Sequence, residues 1–265
     1  MSWFQALILG LLQGLTEFLP VSSSGHLEIG YHLFNIDAEG ANNLTFTIAV
    51  HAATVLSTLF VFRKEIIEIL AGFFKFKYND ETKFVFQIVI SMIPVAIIGL
   101  FFKDSMKALF ENGIIYVGLA LLVTAALLIM SQMIKKTDKE INYWRAFVIG
   151  ISQAFAIIPG LSRSGSTIAT GLLLGVKREN VARFSFLMVI VPVLGESFLD
   201  LLKGGFSVSQ SGIDAFPLLV GFLAAFGAGV FACRAMISLV QRSKLHYFAI
   251  YCMIVGMIVI ANYLF

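Results

Sequence analysis

Charge is scarce in this chain. Asp, Glu, Lys and Arg make up 13% of its 265 residues, against about 25% in a typical soluble domain. With 58% hydrophobic residues and a mean hydropathy of +0.90, an ordinary soluble globular domain is excluded. Cysteine is nearly absent. Cys233 and Cys252 both fall in apolar runs without metal-ligand spacing, which rules out a disulfide framework or a thiolate metal centre and leaves two small buried hydrophobes. The N-terminus lacks a basic stretch followed by a small-residue cleavage site, so no removable signal peptide is expected. The net charge of +3 is no sign of nucleic-acid binding, because the basic residues are distributed by topology.

What the chain has instead is long apolar runs. Six of them, 44–62, 84–102, 113–134, 184–202, 216–240 and 245–264, match the roughly 20 residues that cross a bilayer as a helix. Segments 3–19 and 144–159 are also apolar, but each meets a proline and then a Ser/Gly loop. The stretches that follow, 27–36 and 167–176, are too short to cross alone. Two half-helices around a polar loop predict a re-entrant hairpin, a form tolerated at membrane depth only where protein or water covers it. The expected fold is all-α and integral to the membrane, one domain over 1–265, with six transmembrane helices and two re-entrant helical hairpins.

The two loops are related. At a fixed offset of 140, Gly10, Gln13, Ser22, Ser24 and Gly25 match Gly150, Gln153, Ser162, Ser164 and Gly165, and Ala6 matches Ala146. Six crossings and two hairpins leave both termini on one side. Fourteen of the nineteen Lys and Arg residues then fall on the opposite side, in loops 63–83, 135–145, 177–183 and 241–244. The positive-inside rule puts both termini outside the cytoplasm. The hairpins then enter from opposite faces, which predicts inverted repeats over 1–134 and 143–265 with the site where the loops meet.

The loops differ in chemistry. The first carries Glu17 and His26, and the second carries Arg163. Ser24-Gly25 and Ser164-Gly165 each precede a short helix, where a serine cap and the free N–H groups beyond it form an anion site. Arg163 adds a planar cationic fork suited to phosphate oxygens. Gln13 and Glu17 share one helix face at i and i+4. His26 suits proton transfer near neutral pH. Ser22, Ser23 and Ser24 offer hydroxyls that His26 or Glu17 can activate. His51, Gln87, Glu196, Asp200 and Arg234 read as interhelical polar contacts.

These residues resemble the undecaprenyl-diphosphate phosphatase family, also known as bacitracin-resistance proteins. The first motif is carried by Gln13, Glu17, Pro20, Val21, Ser22, Ser23, Gly25 and His26, and the second by Pro159, Gly160, Ser162, Arg163, Ser164 and Gly165. Gln13 stands where many members have Glu. The resemblance implies an enzyme of the bacterial inner membrane that removes the terminal phosphate of a polyprenyl diphosphate, recycling the lipid carrier of cell-wall synthesis. It also implies a divalent cation, Mg²⁺ or Ca²⁺, with Glu17 as its carboxylate ligand.

The site expected on these grounds has Glu17, Ser23, His26 and Arg163 as catalytic residues. Gln13, Ser22, Ser24, Gly25, Ser162, Ser164, Gly165 and Thr167 bind substrate. Ser23 beside His26 is the expected nucleophile, with metal-activated water or His26 itself as alternatives. The expected partners are the lipid substrate and membrane lipid, with self-association into a homodimer left open and no nucleic acid. The rival reading from another class is an inverted-repeat transporter or flippase for a polyprenyl phosphate, since the repeat plan is also a transporter plan.

Overall fold

A computed structural model describes residues 1–36, 41–102, 114–134, 138–195 and 214–264. The elements are helices: α1 (Trp3–Phe18), α2 (Ser23–Leu33), α3 (Ala41–Val61), α4 (Arg63–Phe73), α5 (Asp80–Phe101), α6 (Ile115–Gln132), α7 (Tyr143–Phe155), α8 (Arg163–Leu173), α9 (Arg178–Met188), α10 (Ala215–Gln241) and α11 (His246–Leu264). Several starts are fixed by side chains that satisfy otherwise orphaned N–H groups. Ser2 and Gln5 form a reciprocal capping box on α1. Asn79 Oδ1 accepts from Thr82 N at 2.8 Å on α5, and Asn142 Oδ1 from Arg145 N at 2.8 Å on α7.

The chain is a multi-pass, all-helical membrane protein across the described residues. Asp80–Gly99, Ile115–Gln132, Ala215–Gln241 and His246–Leu264 are each long and apolar enough to span a bilayer, and coincide with four of the expected spans. Thr45–Val61 coincides with a fifth but is followed by Arg63–Phe73 after a bend of 73°. The basic segment after residue 62, expected as a loop, thus begins with a helix. Arg63, Lys64 and Glu65 sit at its start, and its direction changes where the sequence turns from apolar to charged. The expected span 184–202 begins within α9 and is helical again over 190–195. Its remainder, with Glu196 and Asp200, lies outside the described residues, as do Lys103, Lys107 and Lys203.

Helix α1 lies along α10, and α7 along α5. Both contacts need the absence of a side chain. A Cβ on Gly10 would stand 2.3 Å from Gly221 O, and one on Gly150 would stand 2.2 Å from Ser91 O. Gly10 and Gly150 are matched positions of the sequence repeat, so the same device seats α1 and α7.

The main core joins Phe18, Leu128, Ile149, Ile168, Phe184, Met188 and Met236. A smaller one, with Val21, Val117, Leu121 and Cys252, surrounds the first loop. Outward-facing Ile93, Ile97, Leu119, Val123, Ile254 and Ile258 are exposed, which is favourable against lipid tails. On the basic side, Glu140 pairs with Lys177 and accepts from Asn180. The Glu140 carboxylate, by hydrogen bond and charge, raises the Lys177 pKa above its ordinary value.

Candidate active site

The two hairpin loops meet. A Cβ on Gly25 would lie 3.0 Å from Gly160 Cα, and a Cβ on Gly165 3.2 Å from Pro20 Cβ. Gly160 itself has φ +89°, a conformation glycine adopts without strain. Neighbouring helices clasp each loop. The amide of Ser162 donates to Thr124 Oγ1 on α6 at 3.0 Å, and Cys252 Sγ on α11 lies 3.5 Å from Pro20 O.

Each short helix starts one turn before Gly25 or Gly165, at a serine. Ser22 Oγ accepts from Gly25 N at 3.3 Å, and Ser162 Oγ accepts from Gly165 N at 3.1 Å. The capping residues are therefore Ser22 and Ser162, two positions earlier than Ser24 and Ser164. The reason is that the glycine amide is the third of the helix and reaches back to its cap. Ser24 and Ser164 lie near those capping hydroxyls, at 3.4 and 3.3 Å. Ser164 Oγ also donates to Leu19 O at 3.2 Å, tying the loops together. Ser22 has φ 69° and ψ 99°, whereas Ser162 has φ −70°. Only the first loop carries this left-handed strain, of a kind that concentrates at functional sites.

Glu17, in the last turn of α1, is the hub. Its Oε2 accepts from Ser23 Oγ at 2.6 Å and from Gln13 Nε2 at 2.9 Å. Its Oε1 pairs with Arg163 Nη2 across the loop junction. His51 Nε2 on α3 stands 4.0 Å from Oε2. A buried carboxylate is costly unless paired and hydrogen-bonded, and here it is both. Glu17, Arg163, Ser164, Thr54, Thr58 and Ser185 line the polar part of a narrow cleft. Val55, Phe186, Val189, Ile190 and Val193 line its apolar part.

Gln13, Glu17, Ser23 and Arg163 are therefore brought together as the sequence suggests. His26 is not beside Ser23. Its Nδ1 lies 2.8 Å from Ser22 O and its Nε2 2.7 Å from Tyr251 OH, and the Ser23 hydroxyl is bonded to the Glu17 carboxylate instead. Thr167 bonds back to Arg163 O at 2.9 Å and to Ser185 Oγ at 2.6 Å, supporting the start of α8. His51, read as an interhelical polar contact, makes that contact with Glu17. The signal for it was available in part, since His51, Thr54 and Thr58 fall on one face of an otherwise apolar helix. Nothing in the sequence marks Tyr251, which reads as an ordinary aromatic near a helix end.

A hard divalent cation takes carboxylate and amide oxygens. Glu17 supplies a carboxylate, and the fully buried Gln13 Oε1 has no hydrogen-bond partner among the described residues. That orphaned oxygen beside Glu17 suits such an ion. No group of three or more His, Cys, Asp or Glu residues occurs among the described residues, so any cation here needs further oxygens from substrate or water.

The family described as bacitracin resistance protein BacA matches residues 6–258. Undecaprenyl-diphosphatase of Parabacteroides distasonis is 58% identical over 263 residues, 98% of both chains. The undecaprenyl-diphosphatase of Bacteroides thetaiotaomicron is 58% identical over 268 residues, the full length of both. That of Alkaliphilus metalliredigens is 38% identical over 274 residues, 98% of both chains.

Proposed function

The chain belongs to the bacitracin resistance protein BacA family, and we propose on that premise that it is an undecaprenyl-diphosphatase. It hydrolyses a polyprenyl diphosphate to the monophosphate and inorganic phosphate. The observation that carries this reading is the contact between Ser23 Oγ and Glu17 Oε2 beside the Arg163 guanidinium. It unites a hydroxyl, a base and a fixed cation at a cleft whose far wall is apolar.

In the proposed reaction Arg163 turns from Glu17 to the terminal phosphate, which its planar fork matches. The amides at the starts of α2 and α8 add partial positive charge. Glu17 takes the Ser23 proton as Ser23 Oγ bonds to the terminal phosphorus. The bond from that phosphorus to the bridging oxygen breaks, and lipid monophosphate leaves. Water then attacks the phosphoserine and gives its proton to His26, which passes it to solvent. Phosphate departs, and Ser23 regains its proton from Glu17. Such transfers depend mainly on positioning and charge stabilisation. Val55, Phe186, Val189, Ile190 and Val193 suit the start of the prenyl chain.

A divalent cation, Mg²⁺ or Ca²⁺, fits Glu17 and Gln13 Oε1 and would offset the negative charge of the diphosphate. The full architecture we propose has six spans and two re-entrant hairpins, in inverted repeats over 1–134 and 143–265. The reciprocal seating of α1 on α10 and α7 on α5 supports it. The distribution of Lys and Arg supports termini outside the cytoplasm and a cleft opening to that side of the bacterial inner membrane.

Purified protein in detergent, given undecaprenyl diphosphate and Mg²⁺ or Ca²⁺, should release inorganic phosphate. Glu17→Gln should abolish release. Absence of release from the unaltered protein with either cation would overturn the assignment.

A further inference from the structure

We propose that Tyr251, on the last helix, is a positioning residue that acts through His26. The inference rests on the reading of His26 as an acid–base group. His26 Nδ1 lies 2.8 Å from Ser22 O. A carbonyl oxygen only accepts, so Nδ1 carries the hydrogen and, in the neutral ring, Nε2 is the basic nitrogen. That nitrogen lies 2.7 Å from Tyr251 OH, which donates to it. The two rings are also nearly parallel, 14° apart with centroids at 5.6 Å. One contact fixes the tautomer, the other fixes the direction of the lone pair, and the stack fixes the ring plane.

The scaffold holds both partners. Ser22 presents its carbonyl from a strained backbone with φ 69°. Tyr251 is held in α11, whose neighbouring Cys252 Sγ lies 3.5 Å from Pro20 O of the same loop. Helix α11 also packs closely on α6, where a Cβ on Gly256 would stand 2.9 Å from Gly118 O. Exposure separates the two rings. His26 is 5% exposed and Tyr251 is 42% exposed. The buried imidazole thus has its basic nitrogen directed at a phenol that reaches the protein surface. A histidine serving packing alone needs no such second anchor from 225 residues away.

Tyr251→Phe keeps the ring and its stack and deletes only the hydroxyl. With undecaprenyl diphosphate as substrate, kcat should fall about 10–100-fold, the scale of a misplaced catalytic group, with KM unchanged within about twofold. In a His26→Ala background the same substitution should change kcat by less than about twofold, because residues acting as one unit are not additive. In protein carrying ¹⁵N-labelled histidine, Tyr251→Phe should shift the His26 Nε2 resonance while Nδ1 stays protonated. Equal losses in both backgrounds, or an unmoved Nε2 resonance, would overturn the proposal. Full activity of His26→Ala alone would instead refute the acid–base reading of His26, and the resonance would still decide whether Tyr251 holds the ring.

Discussion

Ser23 and Arg163 stand at equivalent positions of the two hairpin motifs, and each engages a different oxygen of the same carboxylate. Ser23 Oγ donates to Glu17 Oε2, and Arg163 Nη2 pairs with Glu17 Oε1. Matched positions of the repeat thus deliver a hydroxyl from one loop and a cation from the other to one carboxylate. The second half has no counterpart of the hub, since Ile157 stands where Glu17 stands in the first.

Arg163→Lys keeps the charge but loses the bidentate fork, so kcat/KM should fall about 10²–10³-fold, on the scale of losing one preorganised donor. Steady-state kinetics checks this. Removing both charges, as in Glu17→Gln with Arg163→Met, should destabilise the fold less than the sum of the single changes, because each single change leaves the other charge without its partner.

Glu17→Gln should remove cation-stimulated activity, whereas Gln13→Ala should weaken it only partly. Chelation of divalent cations should lower the activity of the unaltered protein, with recovery on adding Mg²⁺ or Ca²⁺. Titration of phosphate release against each cation distinguishes the two residues. Equal losses in the two variants would place Gln13 level with Glu17.

The sequence alone delivers the all-helical membrane class and the cluster of Gln13, Glu17, Ser23 and Arg163, because an ungapped repeat of polar residues in apolar sequence is a strong local pattern. It places the helix caps two residues late, since Ser22 and Ser24 are the same residue type and only the amide geometry separates them. It pairs Ser23 with His26 because they are neighbours in sequence. Residues three apart in the first turn of α2 need not meet, and the partner of His26 is 225 residues away. The bend after Val61 was hidden for a similar reason: a basic segment reads as a loop, yet Arg63–Phe73 continues as a helix in a new direction.

His51→Ala should lower kcat about tenfold or less, with His51→Gln retaining more activity because it keeps a polar side chain near Glu17. The ring stands 4.0 Å from Glu17 Oε2 at a partly exposed position, too far for a hydrogen bond, so its loss should be felt only weakly. Comparison of kcat for the two variants tests it. Unchanged kcat in His51→Ala would return His51 to a packing role.

Gly10→Ala and Gly150→Ala should each lower thermal stability, by about 1–3 kcal/mol as for an overpacked contact. The added methyl meets a backbone carbonyl in both cases, Gly221 O and Ser91 O. Thermal unfolding in detergent should show similar losses for the two. A loss confined to one variant would show that the two hairpins are not seated alike.

The most direct test of the account is to trap the intermediate. Enzyme mixed with substrate labelled in its terminal phosphate, then acid-quenched, should carry label as an acid-stable phosphoserine at residue 23, and Ser23→Ala should carry none. Label in an acid-labile, base-stable adduct at His26, or turnover without any labelled protein, would contradict attack by Ser23.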